Sequence, residues 1–274
     1  GMYRVDENPF SQEEFSVLKA ELNEEFYFLE EIKRIFLVHF PMGDVHKVNG
    51  YNIHQLGFKV NRNYAYSNSY VSGDAYFRHF LTNDDQVDLK GYHSNLRNIP
   101  AFFRVVQSLR EEFELIEYSP SQFINYRRLA KFGITKECLK SYIDDVIEFA
   151  GEQYFTIHSL RQKGFTHPLD EYGFDDWFYE SLIRTDKRIK YRRFKEKILL
   201  KKQTAAFSFV AFTEEKLQQV KSMDIYDFID WVEEDYGIRV SKDRFLAILR
   251  SSHLYYDEIM EKVYLNYEIY YEEL

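Results

Sequence analysis

Residues 184–202 read RTDKRIKYRRFKEKILLKK. Apolar side chains fall at Ile189 and Tyr191, then at Ile198, Leu199 and Leu200, on either side of a polar turn near Arg193 to Glu196. That spacing predicts two short strands and a hairpin rather than a helix. Ten residues of the stretch are basic (Arg184, Lys187, Arg188, Lys190, Arg192, Arg193, Lys195, Lys197, Lys201, Lys202) against Asp186 and Glu196, a local charge of +8.

Upstream of the hairpin the pattern is helical. Thr135 caps an amphipathic segment whose Leu139, Tyr142, Ile143, Val146 and Phe149 share a face, and Gly151 stops it. Helices are predicted next at 154–163 and 174–184, separated by a loop containing Pro168. The order is helix, helix, helix, basic hairpin.

Nearer the N-terminus, Ser11 and Glu14 form a capping box, and Phe15, Leu18, Leu22, Phe26, Leu29, Ile32 and Phe36 predict one helix over about 12–39 with an acidic outer face. Shorter helices are expected at 51–58 and 71–81, with a polar, aromatic turn at 61–69 between them. A helical spacer is expected over 99–133, its second helix capped by Ser119 and opened by Pro120. After the basic hairpin, Thr213 and Ser241 are expected to cap further helices around a central one at 225–236, and the alternating stretch 259–271 resembles a strand. Short matches recur in order: Phe80-Leu81-Thr82-Asn83, Leu182-Ile183-Arg184-Thr185 and Ile248-Leu249-Arg250-Ser251 close successive third helices. A tandem array is therefore expected.

On these residues the sequence resembles the winged helix-turn-helix superfamily, in particular bacterial transcription-associated proteins with tandem winged-helix units. The best match runs from Thr135 to Lys202. The expected fold is mainly α with small β-hairpins (α+β): a first unit over 1–98, the spacer 99–133, a second unit with a basic wing over 134–206, and a third, acidic unit over 207–274. In that superfamily the third helix enters the major groove and the wing follows the backbone. The resemblance implies that Arg188, Lys190, Arg192, Arg193, Lys195 and Lys197 touch phosphate of double-stranded DNA. Asp175, Asp176 and Glu180 make the middle unit's third helix unsuited to a groove lined with phosphate. Base contacts are expected from the first unit, through Lys59, Arg62, Asn68, Ser69, Ser72 and Arg78. Tyr64, Tyr66 and Tyr70 fit either stacking on bases or packing of a small domain.

Composition bounds the alternatives. The 274 residues carry a net charge of −9 overall, and 223–274 hold thirteen acids against five bases, which suits a dimerisation or protein-docking module rather than nucleic acid. A protein-interaction role in a transcription or DNA-processing complex is the second reading. The chain has no long uncharged apolar run and no basic-then-apolar leader, so no membrane partner and a cytoplasmic location are expected. Its single cysteine, Cys138, reads as buried filler in a reducing compartment. His39, His46 and His54 lack the i, i+4 pairing of a zinc protease, and Asp84-Asp85, Asp144-Asp145 and Asp175-Asp176 are adjacent pairs that point apart on a helix. Without a phosphate-binding glycine loop or a nucleophile elbow, neither catalysis nor a metal or cofactor is expected.

Overall fold

The Ser11 hydroxyl accepts the Glu14 amide at 3.1 Å while the Glu14 carboxylate accepts the Ser11 amide at 2.6 Å, and α1 (Gln12–Glu21) starts there. The computed structural model describes residues 8–195, 197–203, 207–250 and 252–274, with the side chains of 91–94 outside the described set. Glu196 of the basic turn and Ser251 of the repeated helix ending lie outside the described residues.

The helix expected over 12–39 is two helices. Between α1 and α2 (Leu29–His39) runs β1 (Phe26–Phe28). The Tyr27 hydroxyl takes the Glu24 amide at 2.7 Å, and three successive aromatics then pair as a strand with Tyr64, Ala65 and Tyr66. Aromatic side chains fit a half-buried pleat better than a helix, so the apolar period continues while the backbone changes. After α3 (Gly50–Gln55), the stretch expected as a turn is a hairpin, β2 (Phe58–Asn61) and β3 (Tyr64–Ser67).

Among the described residues the same order returns three more times. α4 (Gly73–Thr82), β4 (Gln86–Asp88), a 3-10 turn at Gly91–Asn98, α5 (Pro100–Glu111), β5 (Leu115–Ser119) and β6 (Gln122–Asn125) form the second repeat, followed by the short α6 (Tyr126–Ala130). The expected all-helical spacer therefore contains a hairpin. Ser119 and Pro120 sit at its turn, with Ser121 at φ +66°, rather than opening a helix. The third repeat is α7 (Lys136–Ala150), a single bridging residue Phe155, α8 (Ile157–Gln162), α9 (Asp176–Ile183), β7 (Ile189–Phe194) and β8 (Lys197–Lys202). The Thr135 cap and the basic hairpin stand where the sequence places them. The fourth is α10 (Phe209–Val220), β9 (Ser222–Asp224), α11 (Ile225–Tyr236), α12 (Lys242–Leu249), β10 (Tyr255–Asp257) and β11 (Lys262–Tyr264), with α13 (Tyr267–Glu273) in place of the expected continuation as strand. Ser208, not Thr213, caps α10; Thr213 is fully buried and returns its hydroxyl to the Phe209 carbonyl.

All four repeats close their small antiparallel sheets alike. The leading strand pairs with the second strand of the hairpin, giving β1-β3-β2, β4-β6-β5 and β9-β11-β10, and Phe155 holds the corresponding place beside Leu200 of β8. The chain divides into two compact units, Gly1–Asn83 with Asn95–Val106, and Asp84–Ser94 with Gln107–Leu274.

In the first unit, Leu18, Ile32, Phe36, Ile53 and Leu56 form the core. In the second unit the cores cross repeat boundaries. Ile116 and Ile124 of the second repeat's hairpin join Leu139, Val146, Phe178 and Leu182 of the third repeat, and Phe194 and Leu199 of the third repeat's hairpin join Phe209, Phe228 and Phe245 of the fourth. Each hairpin here completes the core of the repeat that follows it. The α8–α11 junction is polar: fully buried Thr156 accepts the Ser159 amide at 3.0 Å as cap of α8 and donates to the Tyr236 carbonyl at 2.9 Å. Beyond it Gly237 ends α11 in the left-handed region at φ +67°, where a Cβ would lie 3.2 Å from the His158 ring. Replacing Thr156 by Val leaves both backbone groups unpaired, and a loss of about 1–3 kcal/mol is expected in urea denaturation. A loss below the resolution of that measurement would show that the junction contributes nothing.

Candidate nucleic-acid interface

The basic run loses most of its apparent charge on folding. Arg188 bonds Asp144 at 2.5 Å and Asp186 at 2.7 Å, Lys197 bonds Asp176 at 2.6 Å, Lys202 bonds Glu152 at 2.8 Å, and Arg184 bonds Glu117 at 3.0 Å. Lys201 is buried against Glu215, and Lys187 lies 3.8 Å from Glu111. Two of the six wing bases named from the sequence, Arg188 and Lys197, are thus held by carboxylates. Lys190, Arg192, Arg193 and Lys195 have no carboxylate partner among the described residues.

These four are placed differently. Lys190 and Arg192 are exposed on the edge strand β7, and Lys195 is exposed in the turn at φ +50°. The Arg193 guanidinium lies 4.1 Å from the Trp177 ring centroid, half-buried, and desolvation with the nearby Arg184 charge holds its pKa below the usual range. Arg192 covers the ring of Phe194 at 5.5 Å. A second guanidinium covers that same ring at 5.6 Å, and it comes from the next repeat: Arg244 of α12.

The third helices of the last two repeats differ in access. Phe178 to Ile183 of α9 are all buried, and the helix packs against β5. The Ser181 hydroxyl accepts the Glu117 amide at 3.2 Å, and Arg110 donates to the Ser181 carbonyl at 3.3 Å. α9 is closed to a groove by coverage as well as by charge. On α12, Phe245 and Leu249 are buried while Asp243, Arg244 and Ala247 face outward, as does Arg250 at its C-terminal cap. Neither Arg244 nor Arg250 has a carboxylate partner among the described residues. Neither stands out in the sequence, because the total charge of 223–274 is acidic; the i, i+3, i+4 spacing of residues around Phe245 is the signal that marks them.

In the first unit the residues named for base contact do not share one helix. Lys59 lies on β2 and donates to the Tyr70 carbonyl at 2.7 Å; Arg62 stands exposed at the β2–β3 turn; Ser72 caps α4 by accepting the Ala75 amide at 3.1 Å; Arg78 lies on α4. Asn68 and Ser69 sit in the link between β3 and α4, where Ser69 and Ser67 hydroxyls bond at 2.8 Å. The helix just before the hairpin is α3, which exposes Tyr51, His54 and Gln55. Tyr64 and Tyr66 are buried: Tyr64 stacks on Phe26 and meets Phe77 at a tilt, Tyr66 lies against Tyr64, and half-buried Tyr70 bonds Glu25 at 2.7 Å, which fits packing rather than base stacking.

Beneath the basic hairpin lies one misplaced charge. Glu180 is 1% exposed and its Oε2 accepts no hydrogen bond. Burial outweighs the attraction of Arg184 and Lys197 and lifts its pKa from 4.5 to about 7. The folded state therefore holds a proton that the unfolded state releases between those values, so this group's contribution weakens stability as pH rises through that window. Glu180→Gln is expected to raise Tm at pH 8 and to leave it unchanged at pH 4. An equal shift at both pH values would place the effect in packing instead.

No known protein-family model matches the chain, and no curated protein matches it significantly. Among the described residues, no helix is long and apolar enough to cross a membrane.

Proposed function

We propose that each repeat is a winged helix and that the chain is a non-enzymatic, transcription-associated protein of the cytoplasm that binds duplex DNA through a face shared by two repeats. The β7–β8 hairpin of the third supplies Lys190, Arg192 and Lys195, and the fourth supplies Arg244 on α12 and Arg250 at its C-terminal cap. The observation that carries this reading is the convergence of Arg192 and Arg244 on the Phe194 ring. Two guanidiniums without carboxylate partners, held by one aromatic side chain, form a pre-ordered pair of phosphate ligands at low entropic cost. The hairpin supplies salt-sensitive affinity, and α12 is the element placed to reach base edges. Arg62 in the first unit adds a separate backbone contact.

The acidic part of the fourth repeat keeps the second reading in view. Asp227, Asp230 and Asp235 of α11 are exposed without basic partners among the described residues, which suits docking of a protein. The readings part on purification: a DNA-binding chain isolated at low salt carries nucleic acid, visible in its ultraviolet absorbance ratio, and releases it at high salt. A chain free of nucleic acid at low salt favours the docking role.

A further inference from the structure

Between α10 and α11 lies a groove of about 230 Å³ that duplex binding does not use. Three rings form a corner in it. Phe212 stacks on Trp231 with centroids 5.3 Å apart at 16°, and Tyr236 meets Trp231 at 78° and Phe212 at 90°. Two ammonium groups border the corner: Lys216 Nζ lies 4.5 Å from the Trp231 centroid, and Lys163 Nζ donates to Gln153 Oε1 at 3.0 Å. Neither has a carboxylate partner among the described residues. Deeper in, Lys201 and Glu215 neutralise each other, which leaves Asp235 as the one unpaired carboxylate of the lining among the described residues.

An aromatic corner of this kind attracts either a cation or a flat π system. The charge decides between them, since two free ammonium groups outweigh one free carboxylate and repel a quaternary ammonium. A ligand that satisfies both features is flat at one end and anionic at the other. We propose that the groove binds a nucleotide, with the base against Trp231 and Tyr236 and the phosphate on Lys163 and Lys216. The volume falls short of the ~300–1,000 Å³ of sites for whole drug-sized ligands. It takes the base and leaves ribose and phosphate at the rim, where the lysines are. A free mononucleotide and an unpaired nucleotide within a nucleic-acid strand offer the same chemistry.

The chain has two tryptophans, so Trp177→Phe leaves Trp231 as the sole emitter. In that background, adenosine monophosphate at millimolar concentration is expected to quench emission saturably, adenosine much more weakly, and choline not at all. Lys163→Glu with Lys216→Glu is expected to abolish the quenching while leaving the thermal melt in place. Isothermal calorimetry of the unsubstituted chain repeats the test should Trp177→Phe not fold. Quenching by a duplex carrying one unpaired nucleotide, but not by the free nucleotide, assigns the groove to nucleic-acid strands; the reverse assigns it to free nucleotides. Saturation by choline in place of the nucleotide, no saturable response to any of these ligands, or full response in the lysine double variant overturns the proposal. Nucleotide quenching that survives Arg192→Glu with Arg244→Glu separates this site from the duplex-binding face.

Discussion

Arg192→Glu combined with Arg244→Glu is expected to weaken duplex binding by at least about tenfold at low salt, because two phosphate contacts are lost and two repulsions introduced. Both side chains are exposed and rest on the Phe194 ring, which stays packed against Phe209 at 5.0 Å, so the melt should not change. The logarithmic slope of affinity against salt should also fall, by about one for each phosphate contact removed. Arg188→Gln is the informative control. Its charge is already spent on Asp144 and Asp186, so its effect on affinity should stay within about twofold, since no counterions are released by a neutralised group. Equal losses for Arg188→Gln and the double variant would mean that the +8 run acts as a whole and that the ion pairs open on binding.

The second large effect concerns the way the second and third repeats interlock. Phe178 is fully buried on α9, stacks on Phe174 with centroids 3.9 Å apart, and belongs to the core that Ile116 and Ile124 of the preceding hairpin complete. Phe178→Ala is expected to cost about 3–5 kcal/mol, since the ring's contacts are lost and a rigid surround collapses only in part. Chemical denaturation measures the loss, and hydrogen exchange locates it. The Glu117 amide, held by the Ser181 hydroxyl, should lose protection along with α9 rather than with β6 alone. A cost under about 1 kcal/mol would mean that the hairpin and α9 are stable independently, contrary to a shared core.

What the sequence reveals follows from how local each signal is. The β7–β8 hairpin, the Thr135 cap and α9 are legible because their apolar spacing and caps lie within the element itself. The first repeat misleads because Phe26 continues a helical stripe from Leu22 to Leu29 while residues 26–28 pair as a strand with residues 64–66. In the second repeat, Ser119-Pro120 carries the signature of a helix start and of a hairpin turn equally well, and β4 decides between them from a distance. The site is the least legible part. Arg188, Lys197 and Lys202 look free in sequence because their carboxylate partners Asp144, Asp176 and Glu152 lie 44, 21 and 50 residues away. Arg244 is hidden for the opposite reason, being one base among many acids until folding sets it beside Arg192.

Duplex binding by the shared face of the third and fourth repeats is measured by fluorescence anisotropy of a random 30-base-pair duplex, titrated with protein at several salt concentrations. Binding is expected at about 50 mM salt, with a logarithmic affinity that falls steeply as salt rises, the mark of several phosphates engaged by a local basic face on an acidic chain. Absence of binding at that salt, or binding indifferent to it, would rule out a phosphate-binding face and leave the fourth repeat's acidic α11 as a protein-docking surface.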